Sequence, residues 1–125
     1  MNVRIYQIDM DKDTKGVKFK NLEDTLYIAG QVNPAIYSQV YADVCDCNDL
    51  EDVFHKFNVE KPIDFTGHSL SISDIVEILD EENKGAYFCD SFGFKKIDFD
   101  TSAVCTKHDQ IQDVLENWNI IPEDK

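Results

Sequence analysis

A small α+β domain, with a mainly antiparallel sheet packed by two or three helices, is the fold this sequence predicts. Three observations carry that prediction. Residues 3–8, 36–44 and 86–99 have the alternation, or the β-branched and aromatic content, of strands. Other stretches repeat apolar side chains at helical spacing. The 125 residues are 42% hydrophobic, with Phe 8, Tyr 5 and Trp 1 against only Pro 3 and Gly 5. That is enough to bury one core and too aromatic for a disordered chain. No repeat, low-complexity tract or Pro/Gly/Ser-rich linker interrupts the chain, so residues 1–125 are read as a single domain.

Taken in order, Val3-Arg4-Ile5-Tyr6-Gln7-Ile8 alternates apolar and polar residues and reads as a strand with one buried face. Asp9 to Gly16 is polar and reads as a loop. Leu22, Thr25, Leu26 and Ala29 then form a helical stripe, with Asn21 placed to cap it and Gly30 to stop it. Ile36 to Val44, rich in Tyr and Val, reads as a second strand. Leu50, Val53, Phe54 and Phe57 form the stripe of a second helix, with Asn48 as its cap and Glu51 completing a capping box. His55 falls on its polar side, and Lys61-Pro62 ends it.

Residues 71–79 fit two patterns. Ile72, Ile75, Val76 and Leu79 have helical spacing, yet Val76 to Leu79 also alternates. The reading favoured is one helical turn near 72–75 followed by a strand. Asp80 to Gly85 is a hairpin loop, and Ala86 to Phe99 makes two short strands around Ser91-Phe92-Gly93-Phe94. Thr106 caps a C-terminal helix, 106–119, whose stripe is Ile111, Val114, Leu115 and Trp118, with His108 in its first turn.

Charge is the main compositional signal. Asp and Glu number 25 against 12 Lys and Arg, a net charge of -13 with a pI near 4.4. By segment the balance is +2 over residues 1–20, -7 over 21–60, -5 over 61–83 and -3 over 84–125. Such a chain repels phosphate backbones, which argues against direct nucleic-acid binding. The same field attracts basic surfaces, including the nucleic-acid grooves of other proteins. No stretch approaches the ~18 apolar residues of a membrane span, and the start has no apolar export segment. The expected location is the cytoplasm, with Cys45, Cys47, Cys89 and Cys105 reduced.

Catalytic patterns are weak. Cys45-Asp46-Cys47 has one residue between thiols, where structural zinc pairs have two to four, so these cysteines read as small core residues. His68 lies beside Ser69, Ser71 and Ser73 without the strained elbow of a serine nucleophile. Gly67 is instead expected to take an unusual backbone angle, and Ser69 or Ser71 to cap the next turn. Asp74 to Glu82 lacks the spacing of a calcium loop and reads as a solvated acidic face. The expectation is a protein with no catalytic residue, metal or cofactor.

The candidate partner-binding residues are therefore the carboxylates. One cluster is Asp43, Asp46, Asp49, Glu51 and Asp52; the other is Asp74, Glu77, Asp80, Glu81 and Glu82. On a shared face they would imitate the spaced charges of a nucleic-acid backbone.

The middle of the chain also carries a family resemblance. Leu50-Glu51-Asp52-Val53-Phe54, Lys56-Phe57-Asn58, Pro62, Asp64-Phe65, Gly67-His68-Ser69-Leu70-Ser71, Ser73-Asp74 and Asp90-Ser91-Phe92-Gly93-Phe94 resemble the YodL-like domain of Firmicutes. Val3 to Ile8 and Tyr37 to Tyr41 match its opening, and the resemblance covers about the first hundred residues. It implies a setting in conjugative elements, plasmids and phages, often beside counter-defence modules. The family contributes no catalytic residue. Gly67, His68, Ser69, Ser71, Asp74, Asp90, Gly93 and Phe94 match its signature and are expected to be structural. The expected function is stoichiometric inhibition of a host DNA-targeting defence protein, a CRISPR effector or a restriction enzyme, through the acidic surface. The alternative is a non-inhibitory docking module of the element's own machinery.

Overall fold

The computed structural model describes residues 1–62 and 65–104. Five strands form one antiparallel sheet in the order β2-β1-β3-β4-β5: β1 Asn2–Ile8, β2 Tyr37–Val44, β3 Ile75–Ile78, β4 Gly85–Cys89 and β5 Phe94–Ile97. Two helices, α1 Leu22–Ala29 and α2 Leu50–Val59, cover its faces. The α+β architecture expected from the sequence is the one observed. The expected C-terminal helix, with Thr106, Cys105 and His108, lies outside the described residues.

Cross-strand partners share a face of the sheet. On one face Val3, Ile5, Tyr41 and Val76 meet Val53 and Phe57 of α2, with Leu70, Cys45 and Cys47. Tyr41, Phe57 and Phe65 pack edge to face there, with centroids 4.8–6.4 Å apart. On the other, Tyr6, Ile8, Ile75 and Phe88 meet Val17, Tyr37 and Val104, with Leu22 and Ala29 of α1 beside them. β1 and β3 are central and buried on both sides, so the single buried face expected for β1 is two.

Local signals set most of the elements. Asn21 accepts the Asp24 N–H at 2.8 Å, and Gly30 closes α1 in the left-handed region at φ 79°. Within α1's stripe Thr25 is buried, but Leu26 is 45% exposed. The cap of α2 is Asp49, not Asn48: it accepts the Asp52 N–H at 2.9 Å, and Asp52 reaches back to the Asn48 N–H at 3.0 Å. Asp52 thus takes the reciprocal role expected of Glu51. The helical turn expected near 72–75 is not formed: residues 71–74 make a tight turn with Ser73 at φ 84°, closed by the Asp74 N–H on the Ser71 carbonyl at 3.1 Å, and Ile75 already belongs to the strand.

A bulge interrupts the pairing of β1 with β2. Ile5 pairs with Tyr41 and Tyr6 with Gln39, leaving Val40 unpaired on β1's side. The Val40 carbonyl accepts the Thr66 N–H at 3.2 Å and the Thr66 hydroxyl at 3.3 Å. The edge strand thereby holds the segment that carries Gly67 and His68.

Candidate functional site

The carboxylates singled out from the sequence fall into three environments. The first is one end of the sheet, where the strand ends Asn2, Val44, Ile78 and Gly85 lie side by side. Met1 exchanges backbone bonds with Cys45, its amino group donating to the Cys45 carbonyl at 3.0 Å. Asn2 binds the other flank: its carbonyl accepts Leu79 N–H at 2.9 Å, and its N–H donates to Asp80 Oδ2 at 2.9 Å. Asp43 and Asp46 on one side, and Asp80, Glu81 and Glu82 on the other, therefore straddle Met1-Asn2. Among the described residues, Lys56 lies 3.1 Å from Asp46 and Lys84 3.8 Å from Glu81. The Lys56 ammonium holds the Asp46 carboxyl below its ordinary range, aided by the amino terminus.

Asp49, Glu51 and Asp52 occupy the exposed first turn of α2, where the helix dipole favours negative charge. Asp52 shares an open dent with Asp46, His55 and Glu60, whereas Glu51 lines a separate one with Cys89, Asp90 and Phe94. Asp46 and Asp52 of the first cluster thus face a different dent from Glu51.

Two members of the second cluster are not surface charges. Glu77 sits on the sheet, accepting the Tyr6 hydroxyl at 2.8 Å with Arg4 3.8 Å away. Burial first, then Glu77, pushes the Tyr6 phenol up. Asp74 is 0% exposed, so the expected solvated face does not include it. Its position places it with the family-signature residues at the opposite end of the sheet.

There the centre is Gln7, a residue that sequence reasoning passed over. Its carboxamide Nε2 donates to the His68 carbonyl at 2.8 Å and to Asp74 Oδ2 at 3.0 Å, while its Oε1 accepts the His68 N–H at 3.1 Å. Asp74 Oδ2 also accepts the Ser71 N–H at 2.7 Å. Gly67 does not have the unusual backbone angle expected of it; its φ lies outside the left-handed region. A Cβ there would collide with the Gln7 carboxamide, whose Cδ stands 2.9 Å away, and press Val40 at 3.1 Å. Close approach, not backbone freedom, requires the glycine.

Ser69 and Ser71 do not cap the turn; the Ser71 hydroxyl donates to the Ser69 carbonyl at 2.9 Å and Asp74 takes the capping role. Like Phe19 at φ 71°, Ser73 lies in the left-handed region, at φ 84°. Four bonds impose that angle: its N–H on the Cys89 carbonyl at 2.9 Å, Tyr37 OH on its carbonyl at 2.6 Å, Phe19 N–H on its hydroxyl at 3.0 Å, and Cys89 N–H on the adjoining Asp74 carbonyl at 2.8 Å. His68 Nδ1 lies 2.7 Å from the Ser69 carbonyl, which requires the proton on Nδ1. Nε2 is buried without a partner among the described residues, and burial lowers the affinity of the ring for a second proton. The Phe19 ring stands 5.6 Å from the imidazole, with the Lys18 ammonium 5.2 Å from that ring's centre.

The remaining signature residues fasten the β4–β5 turn. Asp90 N–H donates to the Gly93 carbonyl at 2.9 Å, and Asp90 Oδ1 accepts from Ser91 N–H and from Leu22 N–H of α1. Gly93 takes φ 78°, and Phe94 packs its ring on Phe54 at 6.4 Å. Cys45, Cys47 and Cys89 are buried core thiols as read from the sequence, and burial pushes Cys47 and Cys89 up to about 12. Among the described residues no group of three or more His, Cys, Asp or Glu is placed to hold a metal ion, and no helix is long and apolar enough to cross a membrane.

The fold is a small α+β domain in which Gly67, His68, Ser71 and Asp74 meet around Gln7 at one end of the sheet, while Asp43, Asp46, Asp80, Glu81 and Glu82 lie at the other. A model of the YodL-like domain matches residues 2–99, and the chain belongs to that family. No curated protein and no solved structure matches it significantly.

Proposed function

We propose that the protein works in the cytoplasm as a stoichiometric inhibitor of a DNA-handling host defence protein, laying its acidic end into a basic nucleic-acid groove. One observation carries the proposal: Asp43 and Asp46 converge with Asp80, Glu81 and Glu82 on the Met1-Asn2 end of the sheet, from chain positions more than thirty residues apart. Spaced carboxylates on a rigid sheet end offer a basic groove the charge pattern it is built to receive. The mobile-element setting that the family resemblance implies motivates the target class, a CRISPR effector or restriction enzyme.

The test compares wild type with a variant carrying Asp43→Lys, Glu81→Lys and Glu82→Lys, which moves the net charge from -13 to -7. None of these side chains holds another element in place among the described contacts. Wild type restores plasmid transfer into an immune host at one inhibitor per target, and its binding to the purified effector weakens steeply with salt. The variant loses both. Inhibition unchanged by the reversal sinks the charge model, and a wild type that leaves immunity intact points to the docking-module reading.

A further inference from the structure

The segment from Phe65 to Asp74 has neither strand nor helix; its ends are held by Val40 on Thr66 and by Cys89, Tyr37 and Phe19 on Ser73 and Asp74, and its middle by two further side chains. Gln7 grips His68 by both its N–H and its carbonyl, and Asp74 Oδ2 ties Ser71 to the same Gln7 carboxamide. Asp74 is fully buried, and among the described residues no donor reaches its second oxygen, Oδ1. A carboxyl so placed costs less with a proton on Oδ1 than as a carboxylate, which is a buried charge with one oxygen bare.

The neighbouring ionisable groups do not mend this. Lys18, from the loop after β1, gives its ammonium to the Ile8 carbonyl at 2.6 Å, with Asp13 and Asp9 beside it. From β2 the Tyr37 hydroxyl is committed to Ser73, and β4 faces Asp74 with the Cys89 thiol. His68, on the same segment, has its affinity for a second proton lowered by burial and spends its Nδ1 proton on Ser69.

We propose that the 65–74 segment is a pH-operated latch, fastened while Asp74 holds a proton and loosened when that proton leaves. Its outer wall, Thr66 to His68, lines an open cleft of about 330 Å³ with Gln7, Lys18 and Gln39, so loosening widens that cleft. The working range is near neutrality, because burial lifts Asp74 to about 7 against the lowering pull of its hydrogen bonds and of Lys18.

Amide hydrogen exchange on the full chain at pH 6 and pH 8, corrected for intrinsic rates, tests this by NMR. The His68 and Ser71 amides lose about tenfold or more of their protection at pH 8, while the β1–β3 amides keep theirs. In Asp74→Asn, which keeps an acceptor for Ser71 and Gln7 but cannot ionise, protection is the same at both values. The Asp74 carboxyl carbon of wild type titrates near 7. Equal protection of His68 and Ser71 in wild type at both pH values overturns the latch, and so does a carboxyl carbon that titrates near the ordinary 3.8. The two wild-type measurements decide the matter even if the variant does not fold.

Discussion

Asp46 and Asp74 carry the same side chain and stand at opposite ends of one sheet. Asp46 lies in water beside Lys56, and its carboxyl is held below the ordinary range. Asp74 is sealed under Gln7, and burial raises it to about 7. One end of the molecule thus presents charge, and the other suppresses it to make a hinge-like tie. A carboxylate's role in this protein follows from its solvent access, not from its place in an acidic run. Glu77 and Asp74 sit in the same run as Glu81 and Glu82, yet only the latter two are exposed.

The largest way to sharpen the contrast is pH. Asp74 has a folded value near 7 and an unfolded one near 3.8, so between them the native state binds the extra proton. Stability from this group is therefore greatest below about pH 4, falls as pH rises towards 7, and is level above that. A shift of about three units is on the order of 4 kcal/mol. Urea denaturation of Asp74→Asn is expected to lack that component of the slope and to exceed wild type in stability at pH 8.

Removing the clamp comes next. Gln7→Ala deletes three hydrogen bonds at a position only 4% exposed, and is expected to lower stability by about 3 kcal/mol at pH 6. Gly67→Ala follows at about 2 kcal/mol, because the added methyl strikes the Gln7 carboxamide. In a Gln7→Ala background the same substitution is expected to have well under half that effect, since the obstructing group is gone. Additive losses would show that Gly67 is needed for something other than room for Gln7.

The smallest effect on stability belongs to the acidic end. Asp43→Lys with Glu81→Lys and Glu82→Lys is expected to change unfolding free energy by less than about 1 kcal/mol, because exposed charges contribute little. Asp49→Ala in the same region is the useful contrast: it removes an N-cap and is expected to cost about 1 kcal/mol with less change in charge. If Asp49→Ala impairs partner binding and the triple reversal does not, the order of α2, rather than charge, is what the partner reads.

Much of the fold was legible because its signals are local. The Asn21 cap, the Gly30 stop and the Val53–Phe57 stripe are read within one or two helical turns. β3 was harder, because a central strand buried on both sides loses its alternation, and Ile75, Val76 and Ile78 are all buried. The cap of α2 was misplaced by one residue because Asn48 and Asp49 are equally able to cap; the path of the chain from Cys47 chooses between them. Gln7 did leave a trace. In the alternation of β1 it falls on the phase of Val3 and Ile5, a polar residue where an apolar one belongs.

By itself the sequence determined the helices, the strands with a clear period, the overall negative charge and its concentration in residues 21–83, all of which depend on neighbours within a few positions. Only the tertiary structure decided which carboxylates meet at the Met1 end and which one is buried under Gln7. Those outcomes rest on contacts between residues 44 to 78 apart, such as Met1 with Cys45, Gln7 with His68 and Asn2 with Asp80. Solvent access and hydrogen-bond partners at that range are set by which segments cross, and no local period encodes the crossing.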